Sequence, residues 1–184
     1  MPLRVERETL ERARSQGGAA LEPLIALVWP EAYRLALSIL RDRGLAEDAA
    51  QEACAAIAAS LRSLKSLDAF PAWSYRIVVS RALGAARIRR RTQSLDEAAT
   101  LGDGLDPSDG LDLYGALASL SPLQRAVVLL HYYAGYNSAE IAGATGLAAS
   151  SVRFHLMRAR AALRKTLSGT AERRSDREVF SDVQ

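Results

Sequence analysis

With 184 residues the chain is long enough for one ordinary domain or two small ones, and an apolar content of 49 % supplies a core. Its one cysteine, Cys54, excludes an internal disulfide and a cysteine-based zinc cluster, and no run of 18 uncharged apolar residues is available to span a membrane. The net charge is only +3 but is segregated: residues 76–91 hold six arginines and no acid, residues 92–124 six acids and no base, and residues 153–165 five bases and no acid.

Residues 1–18 alternate arginine and glutamate and end in Gly17-Gly18. They lack the apolar stretch of a secretory signal and read as a flexible leader or a short loose helix. The first solid helical pattern covers 19–40, with Leu21, Leu24, Ile25, Val28, Leu35, Ala36, Ile39 and Leu40 at helical spacing. Pro30 lies inside it. Proline removes a backbone donor and clashes one turn back, so a kink or break is expected near Trp29. After a turn at residues 41–44 a second helix spans 45–64, with Ala49, Ala53, Ile57, Leu61 and Leu64 as its inward stripe. Glu47 and Asp48 fall in its first turn, where the helix dipole favours acids. Asp48, Gln51 and Glu52 form a small-residue, acidic surface open to a partner. Cys54 is expected to be a buried small thiol.

A loop over 65–71 leads to a third helix starting near Pro71, whose fixed φ suits a first helical position. Ile77, Val78, Leu83, Ala86 and Ile88 are its candidates for burial. Trp73, Tyr75, Arg76, Ser80 and Arg87 cannot all join them. Rings stack on unpaired bases while arginines track phosphate, so this mixture suits single-stranded nucleic acid. Trp73 and Tyr75 serve equally as core anchors on sequence grounds. Residues 92–112, rich in Gly, Asp, Ser and Pro, form an acidic linker.

The second half begins with a helical pair over 113–134, its stripe being Leu117, Leu120, Leu123, Val127, Leu130 and Tyr133. Ser121-Pro122 is a cap followed by a proline start. Asn137 and Glu140 have capping-box spacing, in which each side chain satisfies the other's free backbone N–H. Gly146 supplies the left-handed residue that ends the short helix they start. The helix after it places Val152, Leu156, Ala159 and Leu163 on one stripe, with Arg153, Met157, Arg160 and Arg164 beside it. A short helix, a glycine turn and a basic amphipathic helix make a helix-turn-helix, which lays its second helix in the major groove. Residues 169–184 read as a polar, mobile tail.

Two cationic blocks around an anionic one suit a polyanion gripped at two places. Enzymatic chemistry is not indicated. His131 and His155 lie on separate helices, and no nucleophile–base spacing, phosphate loop or metal cluster is present, so no cofactor or metal is expected. A stand-alone helix-turn-helix regulator, which usually dimerises on palindromes, has no need of residues 45–91.

These motifs resemble those of the extracytoplasmic-function sigma factors, the small two-domain relatives of sigma-70. SLSPLQRAVVLLHYYAGYNSAEIAGATGLAASSVRFHLMRARAALRK is similar to sigma region 4. AEDAAQEA and FPAWSYRIVVSRALGAARIRRR resemble the core-binding and −10-reading parts of region 2. The resemblance implies an all-α cytoplasmic protein. It would have a region-2 domain at 19–91, the linker at 92–112 and a region-4 domain at 113–168. Its partners would be core RNA polymerase, promoter DNA and, as in many relatives, an anti-sigma factor wedged between the domains. It implies that Asp48, Gln51 and Glu52 meet the clamp of the largest subunit, while region 4 docks on the flap of the second-largest. Arg153, Phe154, Met157 and Arg158 would read the −35 element, with Ser151 and Arg125 on phosphates. The loop ending at Phe70, with Trp73, Tyr75, Arg76, Ser80 and Arg87, would capture and melt the −10 element. Ser80 and Gly84 stand where the family usually has Asn and Asp, Ala58 where a Trp is usual, and Ala148 where a Ser usually caps the recognition helix.

Overall fold

The computed structural model describes residues 3, 5–93 and 116–181, with side chains through 92 and from 116 to 168. The described residues are helical throughout, joined by turns and 3-10 segments. Helices α1 (Arg7–Gln16), α2 (Glu22–Leu40), α3 (Arg43–Ser60) and α4 (Phe70–Gln93) form the first half. Helices α5 (Pro122–Tyr132), α6 (Ser138–Thr145) and α7 (Ala149–Ser181) form the second, preceded by a helical turn at 116–118. The acidic linker lies outside the described residues beyond its first two positions.

Helices α2, α3 and α4 pack as a three-helix bundle. Its centre is filled by Leu24, Val28, Ile39 and Leu40 of α2, Ile57 of α3, and Phe70 and Val79 of α4. Each such side chain, fully buried, contributes roughly 1.5–3 kcal/mol. Alanines at 46, 49, 50 and 53 let α3 lie close to its neighbours, and Cys54 is buried among them as a free thiol whose pKa burial raises.

Four features depart from the sequence expectations. Residues 7–16 are not a loose leader. Leu10 and Ala13 are buried, Leu3 and Val5 pack on the core, and Arg7 pairs with both Glu11 and Asp68. The short apolar stripe is hidden in sequence by the charges around it. Helix α2 runs through Pro30 without a break. Its buried neighbours Val28, Glu31 and Ala32 hold the helix on both sides of the missing N–H. Helix α3 starts two residues early because the Asp42 carboxylate accepts from Leu45 N at 3.0 Å, so Glu47 and Asp48 fall beyond the first turn. The polar segment after residue 168 continues α7 as far as Ser181. Helix Gly18–Leu40 is long and apolar enough by length and composition to cross a membrane, but its apolar side faces the bundle core.

The second half packs onto the first. Helix α5 lies against α2 and α4, and α6 lies against α4. Ala126, Val127, Leu130, Ile141 and Ala144 join the same core as Val28 and Tyr75. Tyr136, between α5 and α6, meets Tyr75 edge-on with ring centroids 6.1 Å apart. At this seam the buried Glu31 carboxylate accepts from Arg34 at 2.7 Å and Tyr75 Oη at 2.8 Å, and also bonds Tyr133 from the second half. A second small cluster, Leu117, Leu120, Val128 and Ala159, ties the 116–118 turn to α7.

Candidate nucleic-acid interface

The helix-turn-helix is built by the local devices its sequence specifies. Asn137 Oδ1 accepts from the N–H groups of Ala139 and Glu140, and Glu140 accepts from Asn137 N at 2.8 Å. Gly146 ends α6 with φ 75. Ser121 and Gln124 make the same reciprocal box at the start of α5. Val152, Leu156 and Ala159 are buried, which fixes the rotation of α7 about its axis. That rotation turns Arg153, Phe154, Met157 and Arg158 to solvent, with Phe154 50 % and Met157 58 % exposed. The Arg158 guanidinium lies 5.7 Å from the Phe154 ring centroid. Among the described residues no carboxylate pairs with Arg153 or Arg158. Exposed apolar tips between unpaired arginines are the groups needed to meet thymine methyls and the guanine O6/N7 edge. Ser151, half-buried at the start of the helix, sits beside them.

Arg160 is held differently. Its Nε donates to Tyr132 Oη at 2.6 Å, and Nη2 lies 3.3 Å from His131 Nε2. Because His131 Nδ1 meets the Tyr136 carbonyl at 2.9 Å, the proton belongs on Nδ1 and Nε2 accepts. This arginine braces α7 on α5.

On α4 the expected surface divides. Arg76, Ser80 and Arg87 are exposed and Trp73 is half-buried, packed on Phe70 with centroids 5.9 Å apart. Phe70 and Tyr75 are inside the core, so neither ring is open to a base in this arrangement. Phe70 plugs the bundle, and Tyr75 Oη bridges Leu3 N and Glu31. Arg125, expected on phosphate, is buried where α5 meets the first half. Its place on α5 turns it towards the first half, where the charges of Arg41 and Arg89 act on it, and away from solvent. Ile88, expected in the core, is exposed at the far end of α4.

Asp48, Gln51 and Glu52 are all exposed on α3. Asp48 and Glu52 form one wall of a groove of about 650 Å³, with Leu45 and Ala49. The opposite wall is Ser80, Arg81, Gly84 and Ile88 of α4. The structure therefore brings together residues that the sequence assigned to two separate contacts. Glu31 was not among the sequence candidates. Its signal was an acid one turn from Val28 and Leu35, on the apolar stripe of α2.

Two family models match the chain: Sigma-70 region 2 over residues 24–92 and Sigma-70, region 4 over residues 110–163. The ECF RNA polymerase sigma factor SigL of Mycobacterium tuberculosis is 33 % identical over 175 residues, covering 84 % of this chain and 96 % of that protein. The chain belongs to the extracytoplasmic-function branch of the sigma-70 family. RNA polymerase sigma factor SigV of Bacillus subtilis is 27 % identical over 130 residues, covering 69 % of this sigma factor and 78 % of SigV. In solved structures, RpoE in complex with the anti-sigma factor NepR, from Bartonella quintana, superposes with a TM-score of 0.68 at 25 % identity. That match covers 80 % of this chain and 96 % of RpoE. CnrH, solved with the cytosolic domain of CnrY, shares the fold with a TM-score of 0.59 at 22 % identity, covering 89 % and 97 % of the two chains.

Proposed function

We propose that this sigma factor binds core RNA polymerase through the acidic α3 face and reads promoters through α7 and α4. The observation that carries the reading is the unpaired, solvent-facing set Arg153, Phe154, Met157 and Arg158 on a helix clamped by a capping box and Gly146. These four side chains read the −35 element, and Ser151 steadies the helix on a phosphate. Trp73, Arg76, Ser80 and Arg87 engage the −10 strand. Phe70 and Tyr75 support that surface from beneath. Asp48, Gln51 and Glu52 meet the clamp of the largest polymerase subunit, and region 4 meets the flap of the second-largest. The functional division is region 2 at 19–91, linker at 92–112 and region 4 at 113–168. The protein acts in the cytoplasm as an initiation factor, not as an enzyme, and is held in check by an anti-sigma factor.

The test is reconstituted transcription with core polymerase over a promoter library. Wild type is expected to start from a defined promoter class. Asp48→Ala/Glu52→Ala is expected to lose polymerase binding, whereas Arg153→Ala/Arg158→Ala keeps polymerase and loses the −35 preference. Sound protein that never associates with core polymerase would refute the proposal.

A further inference from the structure

Helix α5 carries Arg125 against α2 and α4, where Arg41 ends α2 and Arg89 of α4 reaches the Leu40 carbonyl beside it. Arg125 is 5 % exposed and its Nε has no hydrogen-bond partner among the described residues. Burial first, then the charges of Arg41 and Arg89, hold its guanidinium well below the ordinary arginine value, at about 10. Arg89 is already engaged: Nη1 lies 3.6 Å from Asp42, and Nη2 donates to the Leu40 carbonyl at 3.4 Å. Among the described residues no carboxylate pairs with Arg41 or Arg125. Arg41 closes α2 in the left-handed conformation with φ 55, which is uncommon for a side chain of its size.

A buried guanidinium with like charges for neighbours is the reverse of what folding favours, since buried charges are normally paired. The missing component is negative. We infer that this seam is a binding site for a small oxyanion of the phosphate class, held by Arg41, Arg89 and Arg125 between the two halves of the protein. Guanidinium forks match the geometry of phosphate oxygens, and the low local dielectric strengthens each charge-assisted bond. The depth of Arg125 selects a free ion over a nucleic-acid backbone, because a duplex cannot follow the side chain into the core. Arg41 and Arg89 come from one half and Arg125 from the other, so the ion also fastens the halves together.

The experiment is thermal unfolding of the full chain in chloride, titrated with inorganic phosphate at constant pH and ionic strength. A ligand that binds only the folded state raises the melting temperature saturably, here by about 2–4 °C at a few-fold excess over its dissociation constant. Phosphate also stabilises proteins by exclusion from their surfaces, so the increment is read against two variants. Arg125→Met is expected to melt no lower than wild type in chloride, because it removes an unpaired buried charge, and to lose the saturable rise. Arg41→Asn, which tolerates φ 55, is expected to shift half-saturation to about tenfold higher phosphate, one lost charge-assisted contact. Equal phosphate increments in wild type and both variants would overturn the site. So would an Arg125→Met protein that melts lower than wild type in chloride yet keeps the rise. A short non-specific duplex is expected to give no increment that depends on Arg125, and one that does would overturn the small-ion assignment.

Discussion

Arg153 and Arg158 differ from the other arginines of α7 in what surrounds them. Arg160 is tied to Tyr132 and His131, while Arg153 and Arg158 face solvent with no carboxylate beside them among the described residues. A good bidentate arginine–base pair discriminates by about 1–3 kcal/mol. Arg158→Ala should therefore lower transcription from a −35-dependent promoter by roughly five- to 150-fold. Arg160→Ala should instead lower the melting temperature of the isolated protein. In vitro transcription and calorimetry on the same preparations separate the two. The buried tyrosines give a second residue-scale expectation. Burial, with a further contribution from Glu140, pushes Tyr136 up to about 12, and burial with Glu31 raises Tyr75 as well. A raised tyrosine pKa gives stability that is full below pH 10 and is lost as pH climbs through the folded value. Arg125 acts oppositely: its lowered value means the fold is relieved of a charge penalty from about pH 10 upward. Two tyrosines outweigh one arginine, so stability should fall between about pH 10 and pH 12. Tyr75→Phe/Tyr136→Phe should flatten that fall in denaturant titrations; an undiminished slope would contradict the assignment to these two rings.

At the scale of elements, two glycines make opposite predictions. Gly146 holds φ 75 with nothing within 4 Å of an added Cβ, so Gly146→Ala should cost only the left-handed conformation, about 1–2 kcal/mol. Gly84 lies mid-helix in α4, again with open space at Cβ, and Gly84→Ala should stabilise by about 0.5–1 kcal/mol. Urea midpoints moving down for the first and up for the second would confirm both. The contrast also explains what the sequence revealed about elements. Caps and turns are written locally, so Asn137, Glu140, Gly146 and Ser121 could be placed by spacing alone. Burial is decided by neighbours distant in the chain. Tyr75 and Phe70 look like surface aromatics until Glu31, Leu3 and the bundle interior are known. Ile88 looks like core until it is seen to face the open groove between α3 and α4. The docking of α1 was missed because only Leu10 and Ala13 are apolar on a charged segment, and their value lies in what they touch. The exposure of Arg153, Phe154, Met157 and Arg158 on α7 was legible because a sharply capped helix with a regular apolar stripe leaves its other faces no choice.

For the whole molecule, the decisive fact is that the two halves share a core. Elements numbered −35 and −10 lie some 25 base pairs apart, roughly 85 Å of B-DNA at about 3.4 Å per pair. Helix α4, with 24 residues, is only about 36 Å long, and α6 of the helix-turn-helix rests directly on it. A body of that size cannot set α7 on one element and α4 on the other, so the proposed promoter engagement requires the seam to open. The seam is built to allow it. Without the anion, Arg125 Nε and Tyr136 Oη are buried there with no partner among the described residues, and each unsatisfied group costs about 1–3 kcal/mol that water repays on opening. The Glu31 cluster and the Tyr75–Tyr136 contact oppose this, so the closed form persists until another surface competes for the halves. Core polymerase is that surface under the proposed docking of α3 and region 4 on different subunits. The expectation is a large fall in resonance energy transfer between dyes on Ser66→Cys and Gly143→Cys, placed in a Cys54→Ala background, when core polymerase is added. Promoter DNA alone should leave the transfer high. Glu31→Gln, which weakens the bond from Tyr133 across the seam, should lower the transfer before polymerase is present. Unchanged transfer in a transcribing complex would show that the halves stay joined, and that the promoter is read by some route other than separation.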